Sequence, residues 1–171
     1  AVESGAHLTR TLAGENTLTT ASHGVSAADA IRVPEGARLT VKGEGKLTAE
    51  TQGGACIGVS TGKSGTIRIE GGVIEATNRD GAAIGGGYSG GGTGGDGGKI
   101  TITGGNIAAS GYTGTAIGGG YGTLGGSGGE VTITGGTVTA TGNASGNPSV
   151  YILGAEGTGG GRYDVTSGTD G

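Results

Sequence analysis

This sequence predicts an all-β fold, a right-handed parallel β-solenoid forming one domain over residues 1–171. Three observations predict it. Segments of 26 to 35 residues repeat along the chain, β-branched residues alternate with polar ones inside each repeat, and paired glycines recur at one fixed place in it.

The repeats are plain in the middle of the chain. "CIGVSTGKSGTIRIEGGVIEATN" covers Cys56 to Asn78, "AIGGGYSGGGTGGDGGKITITGGNIAAS" covers Ala83 to Ser110, and "AIGGGYGTLGGSGGEVTITGGTVTAT" covers Ala116 to Thr141. Degenerate copies start at Thr11 and Ala30, and a frayed copy, "VYILG", starts at Val150. Counting all of them gives roughly six coils.

Each unit holds about three short strands. In the first, Ile67 and Ile69, Ile100 and Ile102, and Val131 and Ile133 share one parity, so they face the same way. In the second, Ile74 and Ala76, Ile107 and Ala109, and Val138 and Ala140 point inward by the same rule. The third carries Ile31, Ile57, Ile84, Ile117 and Ile152 in register. No window has the i, i+3, i+4 apolar stripe of a helix.

Between the strands the chain must turn sharply and in the same way in every coil. The pairs Gly71-Gly72, Gly104-Gly105 and Gly135-Gly136 occupy equivalent corners, where positive φ is expected. The glycine-rich runs at Gly85–Gly98 and Gly118–Gly129 are expected to stack on each other outside the barrel. Arg10 falls where the repeat wants an inward aliphatic, so the first coil is expected to be incomplete or differently capped. Unpaired strand edges at the two ends invite end-to-end stacking with neighbouring sequence.

Composition narrows the function classes. The 47 glycines of 171 residues lack the Gly-X-Y period of collagen, and only two prolines are present. A net charge of −4 with scattered Lys and Arg gives no basic stripe for nucleic acid. No apolar run approaches the roughly 18 residues of a membrane span, and no signal peptide is visible. A secreted protein would then be in its mature form or be an excised domain.

The combination "GKLTAE", "AIGGG" and "TITGGTVTATG" resembles the glycine-rich repeats of secreted clostridial and related Gram-positive surface proteins, over about Leu8 to Gly142. That resemblance implies a β-helical carbohydrate-binding or adhesin-like module at the cell surface or secreted from a bacterium. Its partner would be a polysaccharide or a host or cell-wall glycan, sometimes bound with calcium. These motifs are turn and core residues, so they specify the coil and not the ligand.

Candidate ligand residues come from the aromatics, of which five tyrosines are the whole inventory. Tyr88 and Tyr121 each follow "AIGGG" and are expected to stack one coil apart, as a sugar platform or a structural ladder. Tyr112 is expected near the same corner, with Ser89 and Thr123 supplying hydrogen bonds. "GGTGGDGGK" from Gly91 partly matches a calcium-binding repeat, but Ser127 aligns with Asp96, and one carboxylate cannot supply the six or so oxygens calcium takes. No cofactor is therefore expected.

The remaining chemistry-bearing residues are dispersed. Arg68 and Arg79 are the expected partners of Glu70 and Glu75, Cys56 fills a small buried slot shared with Ala83 and Ala116, and His7 and His23 are solvated. Asn143-Ala144-Ser145 is a glycosylation sequon, meaningful only in a eukaryotic secretory pathway. Thr101/Thr103 and Thr132/Thr134 form a short TxT array that raises ice binding, though Arg68 and Glu70 break it. A polysaccharide-degrading enzyme would need a face lined with acids and bases. Non-catalytic glycan binding or adhesion is the function expected, with a structural stalk or spacer as the alternative.

Overall fold

Strand formation follows the alternation. In the computed structural model, which describes residues 2–21, 27–142 and the backbone of 152–153, each coil contributes three strands and no helix occurs among the described residues. Coil 1 holds β1 (His7–Leu12), β2 (Glu15–Thr20) and β3 (Ile31–Arg32). Coil 2 holds β4 (Arg38–Gly43), β5 (Lys46–Thr51) and β6 (Ile57–Val59). Coil 3 holds β7 (Thr66–Ile69), β8 (Val73–Asn78) and β9 (Ile84–Gly86). Coil 4 holds β10 (Lys99–Ile102), β11 (Asn106–Gly111) and β12 (Ile117–Gly118), and coil 5 holds β13 (Glu130–Ile133), β14 (Thr137–Gly142) and β15 (Ile152–Leu153).

Like strands pair with like. The three parallel sheets run β1-β4-β7-β10-β13, β2-β5-β8-β11-β14 and β3-β6-β9-β12-β15. Each holds five strands, which is about four full turns rather than six coils. The degenerate copy at Thr11 and the frayed copy at Val150 are parts of terminal coils, and counting each as a whole coil inflated the number. With about 4.8 Å between neighbouring strands, the stack is roughly 20 Å tall.

The register aligns the apolar columns as the alternation requires. Leu39, Ile67, Ile100 and Val131 stack in one column, and Val41, Ile69, Ile102 and Ile133 stack in the next. The second sheet stacks Leu47, Ile74, Ile107 and Val138, beside Ala49, Ala76, Ala109 and Ala140. The third lines up Ile31, Ile57, Ile84 and Ile117, and the backbone of Ile152 continues the row. Ile67, Ile69, Ile74, Ile84, Ile100, Ile102, Ile107 and Ile117 are fully buried. Each such side chain contributes about 1.5–3 kcal/mol relative to exposure, and together they form one continuous core.

Glycine serves two purposes here. At the corner between the first and second sheets, Gly72, Gly105 and Gly136 have φ of 90°, 95° and 82°, the left-handed region that a Cβ disfavours. In the third sheet, Gly58 and Gly85 have φ of 148° and 125°. A Cβ on Gly58 would be driven into the Gly85 carbonyl oxygen, and one on Gly85 into that of Gly118. Coils in this wall touch backbone to backbone.

The first coil starts earlier than the repeats suggest. Val2 N donates to Arg32 O at 2.9 Å, as Val33 N donates to Gly58 O at 2.7 Å one coil on. "VESGA" at residues 2–6 therefore sits beneath "VPEGA" at residues 33–37, with Gly5 and Gly36 at matching φ of 79° and 81°. The underside of this coil carries two polar residues at positions that are apolar in the other coils, beside Leu8 and Leu18, which are exposed. Arg10 pairs with Val41 in register and is exposed. Asn16 pairs with Leu47, and its Nδ2 donates to Lys46 O at 3.0 Å and Ala13 O at 3.2 Å. An inward charge and an inward amide are features that blunt a sheet edge.

Candidate functional site

The two tyrosines after "AIGGG" stack as the repeat requires. Their ring centroids lie 5.9 Å apart with planes 9° from parallel. The loops beneath them set this up. Ser89 N donates to Tyr121 O at 3.1 Å, Gly94 N to Leu124 O at 2.8 Å and Gly97 N to Ser127 O at 2.8 Å. Each loop also folds back on itself in the same way, through Gly95 N to Gly87 O and Gly126 N to Gly120 O. Ring on ring, each tyrosine covers one face of the other. Tyr88 is half-buried and Tyr121 only 38% exposed. Such a pair suits a structural ladder over glycine backbone. Of the two polar neighbours expected to serve it, Ser89 is half-buried and Thr123 exposed.

Tyr112 lies on a different turn. It follows β11, between the second and third sheets, whereas Tyr88 and Tyr121 follow β9 and β12. At 62% it is the most exposed large apolar side chain among the described residues. It closes one end of a trough of about 570 Å³ that runs along the solenoid axis.

Register explains the trough. Thr19, Glu50 and Thr77 are one row of outward residues at the edge of the second sheet. The first residues beyond β2, β5, β8 and β11, namely Ala21, Gln52, Arg79 and Tyr112, make a second row. Thr20, Thr51 and Asn78 form the floor between them. Buried Asn78 holds that floor: its Nδ2 donates to Gly54 O at 2.6 Å and Ala82 O at 2.9 Å, and its Oδ1 accepts from the amides of Asp80 and Gly81. Tyr112 is tied directly above, its amide donating to Asn78 O at 2.9 Å. The backbone under this corner is therefore pinned in successive coils.

Charge pairing leaves one cation here. Glu70 takes Arg68 at 2.6 Å, as expected, but Glu75 takes Lys46 at 2.8 Å and not Arg79. Lys46 lies on the neighbouring strand beside Glu75, while Arg79 stands past the end of β8. Lys99 meets Glu130 at 2.9 Å. Arg79 is exposed in the trough with no ion pair to a described residue.

Asp96 acts as a coil-to-coil stitch. Its Oδ1 accepts the Ser127 amide at 2.7 Å, and its own amide donates to Gly62 O at 2.7 Å. Among the described residues no three His, Cys, Asp or Glu side chains converge for a metal. Cys56 is fully buried in the Ala83/Ala116 column, within 3.2–3.4 Å of Thr77 O, Thr51 Oγ1 and Ala49 O. Desolvation pushes its thiol up to about 11, which makes it an inert core residue at neutral pH. His7 is exposed; His23 and Asn143–Ser145 lie outside the described residues.

One buried group had no signature in the repeats. The Asp29 carboxylate accepts Ser60 Oγ at 2.6 Å and the Ala55 amide at 2.9 Å, with Arg32 at 3.4 Å. Burial raises its pKa above the usual carboxylate value, and the Ser60 and Ala55 hydrogen bonds oppose the shift. No helix among the described residues is long and apolar enough to cross a membrane. Comparison with protein-family models, with curated proteins and with solved structures gives no match.

Proposed function

We propose that this chain is a non-catalytic carbohydrate-binding or adhesion module of a secreted or cell-surface bacterial protein, and that the sugar lies in the Tyr112 trough. The observation that carries this reading is the open tyrosine face at the end of a trough with polar side chains at successive coils. Sugar rings present a CH face that stacks on tyrosine and hydroxyls that bond to groups such as Gln52, Glu50, Thr19 and Thr77. The clostridial-type repeat resemblance supports the same class and location. The Tyr88–Tyr121 stack contributes stability to the loops in this reading, not a platform.

Shallow sites of this kind give Kd near 0.1–1 mM, about 4 to 5.5 kcal/mol. Affinity gel electrophoresis with polysaccharides cast into the gel tests it. Tyr112→Ala is expected to migrate without retardation and to keep the wild-type circular dichroism, while Tyr88→Ala with Tyr121→Ala is still retarded. Retardation that survives Tyr112→Ala moves the site elsewhere. A wild type retarded by no glycan leaves the stalk or spacer reading, which the unbroken side-chain columns through coils 2 to 4 favour.

A further inference from the structure

The charge and direction of the trough specify what lies in it, and this inference rests on the glycan reading above. We infer that the occupant is an acidic polysaccharide strand laid along the solenoid axis, with a carboxylate on Arg79 and a sugar face on Tyr112.

Direction comes from the rails. Each coil adds one side chain to each row, so the polar groups repeat about every 4.8 Å along the axis. An extended glycan chain also offers one pyranose ring, with its hydroxyls, at a similar advance. A strand lying along the axis meets a fresh pair of rail residues at each sugar, whereas one lying across it meets a single coil.

Charge comes from Arg79. Among the described residues Arg10, Arg38, Lys42 and Arg79 meet no carboxylate, and of these Arg79 is the one that lines the trough. A guanidinium presents a planar fork of donors that matches a carboxylate in two parallel hydrogen bonds. Tyr112 stands one coil above Arg79, and Thr113 N donates to Arg79 O at 2.8 Å, so the two side chains start from a fixed backbone step. In a hexuronate the carboxylate projects from the ring edge at C5. A ring stacked on Tyr112 therefore directs that group, or its neighbour's, toward Arg79. Glu50 lies one coil below Arg79 on the facing rail. It repels a second carboxylate and accepts hydroxyl donors, so the occupant carries its acid at the Arg79 end and uncharged groups beside Glu50.

Affinity gels containing polygalacturonate, alginate or hyaluronan, each beside its carboxyl-esterified form, and a neutral β-glucan gel test this. Wild type is expected to be retarded by at least one of the acids, about tenfold more strongly than by its ester, and less strongly as salt is raised. Arg79→Gln should bind the acid no better than the ester, while Arg38→Gln, on the exposed face of the first sheet, should behave as wild type. Equal retardation by acid and ester, or retention by the β-glucan alone, overturns the acidic occupant and leaves the glycan reading standing. An Arg79→Gln variant that still prefers the acid also overturns it. No retardation in any gel by a folded wild type overturns both.

Discussion

All three sheets are hydrogen-bonded from coil to coil, but the first two and the glycine-rich third wall pack differently around that ladder. In the first two, columns of buried Ile, Leu, Val and Ala stack on the inner face of that ladder. In the third wall and the loops after it, coils meet backbone to backbone. There Gly58 and Gly85 leave no room for a Cβ, and the loop contacts are amide-to-carbonyl hydrogen bonds such as Gly94 to Leu124 and Gly97 to Ser127. Apolar columns lose stability gradually when trimmed, because neighbours relax into the space. Backbone contacts have nothing to trim. The difference teaches that the segments poorest in side chains are the least tolerant of gaining one.

The largest expected effect comes from Gly85→Val. The side chain would enter the Gly118 carbonyl at a φ of 125° that β-branched residues avoid. Destabilisation of roughly 4 kcal/mol or more is expected, read as loss of a cooperative melt by circular dichroism. A melt within about 1 kcal/mol of wild type would show that the third wall is looser than its contacts imply.

Trimming a column should cost less. Ile100→Ala removes a fully buried side chain between Ile67 and Val131, and about 2–5 kcal/mol is expected in denaturant unfolding. A larger loss than that of Gly85→Val would reverse the ranking of the two packing modes.

The corner glycines should cost less than either. Gly104→Ala with Gly105→Ala places one Cβ against Glu70 O and another, at a φ of 95°, 2.8 Å from Gly72 O. Roughly 1–2 kcal/mol is expected. Unchanged melting would mean the pair is merely small.

Asp29 sharpens the comparison by pH. Its folded pKa is raised, so its contribution is greatest below the ordinary carboxylate range near 4 and is lost as pH rises through the raised value. Measured against Asp29→Asn, which keeps an acceptor for Ser60 and Ala55, wild type should lose relative stability from about pH 4 upward. A difference that is flat with pH would mean the carboxylate is solvated.

The smallest effect belongs to the tyrosine ladder. Tyr88→Ala with Tyr121→Ala removes one stacked, partly exposed pair, and about 0.5–1.5 kcal/mol is expected from thermal melts. A loss as large as that of Gly85→Val would make the rings part of the core.

Much of the fold was legible because the coil repeats the same residue type at the same place. Ile67, Ile100 and Val131, the glycine pairs, the Cys56 slot and the Tyr88–Tyr121 pair all recur in register, and each stands where the repeat puts it. The trough was illegible for the converse reason. Its outer rail reads Ala21, Gln52, Arg79, Tyr112, four unlike residues just beyond the strands, so no pattern marks them as one column. Only Tyr112 showed, by being aromatic. Asp29 and Ser60 come from turns that do not repeat, and only the wound chain brings them together. The Lys46–Glu75 pair escaped notice because it crosses between coils, while the sequence offered Arg79 nearby. "VESGA" under "VPEGA" was legible in principle, but two short, glutamate-bearing turns carry little weight against the long glycine runs.

The stacked glycine loops have a consequence for how this chain tolerates sequence drift. Surface loops are ordinarily where substitutions and insertions accumulate unnoticed. Every missense change of a glycine installs a larger residue, and at positions such as Gly94, Gly97, Gly120 and Gly126 that residue meets a neighbouring backbone. The glycine loops are thus intolerant of drift, whereas the rails of the tyrosine-bearing trough, Thr19, Glu50, Thr77, Gln52, Arg79 and Tyr112, expose their side chains and are free to change.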